Sequence, residues 1–144
     1  MKFSLILTSI AVLLTSAHAQ LTVSYDQRYD DANESLTTVA CSNGPNGLIT
    51  RGFTTFGSLP NFPLIGGGPA VTGFNSPGCG TCWELTYVNG QGVSTSVNIL
   101  VIDVATPNYN IALEAMNELT DNQATFLGRV PVTAVQVDSL VCGL

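Results

Sequence analysis

Basic groups are almost missing from this chain. It has one histidine, His18, and one lysine, Lys2, and charged residues of both signs make up only 10% of the sequence. Beyond residue 19 the cations are Arg28, Arg51 and Arg129, set against ten carboxylates. The formal charge is −6 for the whole chain and becomes −7 when Lys2 is removed. Nucleic-acid affinity comes largely from Lys and Arg neutralising phosphates, so a nucleic-acid partner is excluded. An anionic membrane surface is disfavoured for the same reason. With no imidazole after His18, a nucleophile–base triad has no base. A zinc site would also lack its usual nitrogen ligands, so no metal or other cofactor is expected. A membrane span is not expected either: the apolar stretch Leu5 to Leu14 is about half of the ~20 residues that cross a bilayer.

That stretch follows Lys2 and precedes Ala17-His18-Ala19, which has small residues at both positions inspected by a signal peptidase. A buried core helix would need a polar face, and this run has almost none. Residues 1–19 therefore read as a cleaved secretory signal. Residues 20–144, about 125 positions, suit one extracellular domain with one core.

Four cysteines remain in that domain: Cys41, Cys79, Cys82 and Cys142. Behind a signal peptide an even count reads as a disulfide framework. Metal binding through Cys79-Gly80-Thr81-Cys82 would need two further ligands close together, and a redox motif would need a βαβ context that the following residues do not supply. Of the three connectivities, a bridge across Cys79–Cys82 is disfavoured by the strain of so small a ring. In Cys41–Cys79 with Cys82–Cys142, each partner sits at the end of a separate strand or loop. Closing loops of that length stabilises by ~3–4 kcal/mol each in the entropic treatment.

Gly, Thr, Ser, Asn and Val are plentiful, which favours strands and turns over long helices. Leu21, Val23 and Tyr25 alternate with Thr22 and Ser24 in a short strand. Trp83, Leu85 and Tyr87 alternate with Glu84 and Thr86 before Asn89-Gly90, a strong hairpin signal. Ser94 to Val104 contains Val97 and the run Ile99 to Ile102, a buried strand that ends beside Asp103. Residues 57–80, rich in glycine and proline, read as a long loop held by packing. Ile111, Ala115, Met116 and Leu119 have helical spacing, which predicts a helix over 111–119. Val130 to Val137 reads as a last strand, with Pro131 placing its start at an edge or bend. Short strands with long crossings argue for a compact β-barrel. Asn33-Glu34-Ser35 is a glycosylation sequon in a polar stretch.

Four segments carry a resemblance: Val23-Ser24-Tyr25-Asp26, Ala40-Cys41-Ser42-Asn43-Gly44, Ser76-Pro77-Gly78-Cys79-Gly80-Thr81-Cys82-Trp83, and Val135-Gln136-Val137-Asp138 before Cys142. In order and spacing the chain resembles the cerato-platanin family over essentially its whole mature length. The resemblance implies a six-stranded double-ψ β-barrel like the first domain of expansins, with one or two short helices and the bridges Cys41–Cys79 and Cys82–Cys142. It also implies a fungal protein, secreted and partly retained in the cell wall, that binds chitin-type oligosaccharides. Such a protein acts as an elicitor, toxin or immunomodulator sensed through a host immune receptor. It is a monomer in solution that self-assembles at interfaces.

The same motifs place Tyr25, Asp26, Thr81, Asp103, Gln136 and Asp138 along one shallow face as candidate carbohydrate ligands. Carboxylates, amides and hydroxyls hold sugar hydroxyls in hydrogen bonds. Each residue has a structural alternative. Tyr25 and Trp83 fit a core, Asp26 fits an ion pair with Arg28, Asp103 fits a turn cap, and Gln136 and Asp138 fit a solvated strand face. Expansin-like wall loosening or weak hydrolysis through Asp103 is the competing activity. It would need a second carboxyl group ~5–9.5 Å away, and the expansin-like site usually sets a histidine beside its aspartate. The mature chain has none, so the expectation is a binding protein and not an enzyme. A third reading is a surface-active or signalling protein whose sugar binding is incidental.

Overall fold

The computed structural model describes residues 20–144. The expected signal segment, residues 1–19, lies outside the described residues. The architecture is mainly β, with strands β1 Thr22–Tyr25, β2 Ile65–Gly68, β3 Cys82–Val88, β4 Ser94–Val104, β5 Tyr109–Ile111, β6 Arg129–Pro131 and β7 Thr133–Val137. They form one seven-stranded sheet in the order β6-β1-β5-β2-β4-β3-β7. Two short helices follow β5: α1 Leu113–Thr120 and α2 Ala124–Leu127.

The hairpin predicted at Asn89-Gly90 is present. β3 and β4 pair antiparallel from Cys82 opposite Leu100 to Val88 opposite Ser94. The Asn89 side-chain oxygen accepts from the amides of Gln91 and Val93, which fixes the turn. β4 pairs with β3 over Ser94–Leu100 and with β2 over Leu100–Val104, and core side chains cover both faces of Ile99 to Ile102. That is why Ile99 to Ile102 read as a continuous apolar run and are fully buried.

Three expectations are corrected. First, the 57–80 loop contains β2, Ile-Gly-Gly-Gly, lying between β4 and β5. A Cβ on Gly66 would fall 2.4 Å from the Asn110 carbonyl oxygen and 2.6 Å from Ile111 Cα, so only bare backbone fits there. Second, the helix begins at Leu113 and not at Ile111, which belongs to β5. The Ala112 amide bonds the Ile65 carbonyl, holding the chain to the sheet until that point. Third, the expected final strand is two. Pro131 has no N–H and the Val132 amide bonds the Leu21 carbonyl, so the chain bends there. β6 pairs with β1 and β7 pairs with β3. The count is therefore seven strands, where six were expected. β6 and β7 stand at the two ends of the strand order, so hydrogen bonds do not close the sheet into a barrel.

Two disulfides pin this frame, Cys41–Cys79 and Cys82–Cys142, with Cα–Cα separations of 5.3 and 5.7 Å. All four cysteines lie in the core, alongside Phe56, Leu36, Ile65, Leu85, Met116 and Leu119.

Candidate functional site

Asp103 sits one residue before the end of β4, and its acceptors are occupied. Oδ1 accepts from the backbone amides of Ala40 (3.0 Å) and Val104 (2.9 Å), and Oδ2 accepts from the Tyr29 hydroxyl at 3.3 Å. The Arg28 guanidinium lies 3.9 Å away, and the Asp103 side chain is 17% exposed. Burial pushes the Tyr29 phenol far above its ordinary range, with the Asp103 charge adding to the effect. Asp103 thus ties together three segments distant in sequence, which is the turn-capping alternative extended into tertiary structure. Asp26 does not pair with the Arg28 side chain. Its Oδ1 accepts from the Arg28 amide at 3.0 Å and starts the turn Gln27–Asp30, while the guanidinium turns to Glu34, Asp103 and the Thr38 hydroxyl. Tyr25 is half-buried and packs against the core.

The remaining three predicted residues are brought together elsewhere. Thr81, Gln136 and Asp138 line a shallow cleft of about 340 Å³ between the two disulfides, with Arg51 at its border. The Thr81 hydroxyl donates to the Gly78 carbonyl and accepts from the Trp83 indole N–H. Asp138 Oδ1 accepts from the Leu140 amide. Gln136 is exposed. Trp83 is partly buried beside Tyr109, ring centroids 6.2 Å apart and tilted, so it serves packing more than it offers a stacking face.

A second polar cleft escaped the sequence reading. Register places Arg129, Ser24 and Asn110 side by side on β6, β1 and β5. Arg129 donates to the hydroxyls of Thr22 (2.8 Å) and Ser24 (3.0 Å), and the Ser24 hydroxyl donates to Asn110 Oδ1 at 3.1 Å. Asn108 Oδ1 accepts from the Thr22 amide at 3.0 Å. The cleft over this ladder holds about 250 Å³ and is walled by Thr106 and Asn108. Both asparagines spend their side-chain oxygens inside the protein, which leaves their amide N–H groups, with the arginine, as donors toward a ligand. The row continues by register through Gly67 to Asp103, where the missing side chain lets the Val104–Ala105 backbone approach. The local signal was Asn108-Tyr109-Asn110, two amides alternating with a buried ring in a three-residue strand too short to register as one.

Among the described residues no three His, Cys, Asp or Glu side chains are grouped as metal ligands. No described helix is long and apolar enough to cross a membrane.

Small, disulfide-pinned, mainly β, with shallow polar clefts, the chain belongs to the cerato-platanin family, whose model matches residues 21–144. Proteins of this family are generally non-catalytic secreted fungal proteins. An Arthroderma benhamiae protein described as an "Allergen Asp f 15 homolog" is 48% identical over 147 residues, covering 99% of this chain and 70% of that protein. The crystal structure of cerato-platanin 1 from M. perniciosa superposes with a TM-score of 0.82 at 40% identity, covering 85% of this chain and 98% of that one. The solution structure of "the fungal elicitor Cerato-Platanin" superposes with a TM-score of 0.74 at 39% identity, covering 85% of this chain and 96% of that one.

Proposed function

We propose that the mature protein binds neutral, chitin-type oligosaccharides without cleaving them and acts outside the cell as an elicitor or allergen-like factor sensed by a host. One observation carries the binding: the preassembled ladder Arg129–Ser24–Asn110, whose internal bonds orient unspent amide donors into an open cleft. Donors fixed by neighbouring hydrogen bonds lose little freedom when a sugar hydroxyl or N-acetyl carbonyl arrives. Thr81, Gln136 and Asp138 offer a separate polar surface in the cleft between the disulfides. Asp26 and Asp103 hold loop amides beside β1 and β4, and Tyr25 packs against the core.

The arrangement around Asp103 argues against hydrolysis. A general acid needs a proton and a free path to the leaving oxygen. This carboxylate instead accepts two backbone N–H bonds and one phenol bond. Titrating the ¹⁵N-labelled mature chain with N-acetylglucosamine tetramer tests the reading. Amide shifts are expected at 22–24 and 106–110, weakened in Asn110→Ala, with no shortened glycan by mass spectrometry. Absence of shifts at those positions, or stoichiometric release of shortened glycan, would refute it.

A further inference from the structure

A third cavity, sharing no lining residue with the two clefts above, has the makings of a second ligand site. It lies between the tip of the β3–β4 hairpin and the turn joining α1 to α2, and holds about 390 Å³. That falls within the roughly 300–1,000 Å³ typical of small-ligand clefts. Tyr87, half-buried and directly opposite Thr95 in the hairpin, supplies an aromatic wall. Leu119 and Leu127 supply an apolar base, and Gln91, Asp121 and Gln123 form an exposed polar rim. Neighbouring polar groups are already spent. Thr120 donates to the Met116 carbonyl, and the Asn89 oxygen accepts two turn amides. Among the described residues the side chains of Gln91, Gln123 and Asp121 have no such internal role. Asp121 is held at a left-handed φ of 54° where α1 ends, which fixes the chain direction at the rim.

An aromatic wall over an aliphatic base, rimmed by two amides and a carboxylate, matches the two-sided chemistry of a pyranose. The ring C–H face packs on the aromatic ring while the equatorial hydroxyls bond the rim. We infer that this cleft is a second saccharide site, taking one neutral N-acetylated pyranose unit. The ligand class rests on the proposed function above; the location does not. The two clefts share no lining residue, with Leu127 of this one and Arg129 of the other two residues apart. Two neighbouring sites on one disulfide-pinned body give avidity on a polymer that reaches both.

The test is the same amide titration with N-acetylglucosamine tetramer, run on wild type, Tyr87→Ala, Tyr87→Phe, Gln123→Ala and Asn110→Ala. Two separate patches are expected, one at 22–24 with 106–110 and one at 87–95 with 119–127. Tyr87→Ala and Gln123→Ala should weaken the second about tenfold and leave the first unchanged, while Tyr87→Phe should keep both. Wild type should bind chitin nanofibres more tightly than Tyr87→Ala, Gln123→Ala or Asn110→Ala. Shifts confined to the first patch overturn this inference and leave the proposed function standing. Shifts confined to the second do the reverse, and shifts nowhere overturn both. If the second patch survives Tyr87→Ala and Gln123→Ala at full affinity, the assigned contacts are wrong and the inference falls.

Discussion

Replacing Asp103 separates a carboxylate that holds the fold from one that does chemistry. Asp103→Ala removes the acceptor for three donors. The Val104 amide is exposed and recovers water, but the Ala40 amide is partly buried and Tyr29 is 3% exposed. An unsatisfied buried donor costs about 1–3 kcal/mol, so two of them cost about 3 kcal/mol in sum. The 3.9 Å contact with Arg28 is partly solvated and adds under about 1 kcal/mol. Asp103→Asn keeps an Oδ1 that accepts from both amides, and its Nδ2 can donate to the Tyr29 oxygen. Only the ionic contribution is lost, about 1 kcal/mol or less. Guanidinium unfolding followed by Trp83 fluorescence, compared at equal m-value, measures both variants. The expected result is a large loss for Ala and a small one for Asn. If Asn costs as much as Ala, the charge and not the hydrogen-bond network is what matters. If both cost under about 1 kcal/mol, the network contributes nothing measurable and a reserved chemical role regains force.

Other consequences of the structure can be checked in the same way. Replacing both cysteines of either bridge by serine should cost about 4 kcal/mol, with Cys82–Cys142, spanning 60 residues, about 0.4 kcal/mol more costly than Cys41–Cys79, spanning 38. Calorimetry that reverses the order by more than about 1 kcal/mol would contradict loop closure as the cause. Asp30→Ala removes the carboxylate that accepts from the Leu113 and Glu114 amides, so α1 should lose about 1 kcal/mol and its first-turn amides should exchange faster. Burial pushes the Tyr109 phenol up to about 12. Its neutral form is therefore favoured in the folded state, and its contribution is fully present below pH ~10, the ordinary phenol value. As pH rises from there toward about 12 the unfolded state ionises first and stability falls. Tyr109→Phe should flatten that alkaline decline in denaturant midpoints, and an unchanged slope would count against this account.

What the chain showed before folding was local or compositional. The leader pattern, the four cysteines, the acidic balance and the β3–β4 hairpin follow from residue type and a period of two, and Asn89-Gly90 closes its turn through atoms at most four residues apart. The cysteine pairing came from family likeness, because nothing in the spacing chooses between the connectivities that remain. Of the predicted site, Thr81, Gln136 and Asp138 do share a cleft, while Asp26 and Asp103 are engaged in holding loops.

The rest depended on partners far along the chain. One isoleucine followed by three glycines has no side-chain pattern to read, and β2 lies where β4 and β5 approach too closely for a Cβ at its glycines. The first amides of α1 are capped by Asp30, more than eighty residues upstream. Ser24, Asn110 and Arg129 become a ladder only when β1, β5 and β6 lie side by side. Residue type and periodicity govern contacts within a few positions, whereas a site assembled across strands is set by register, and register is decided by which faces and edges the whole sheet buries.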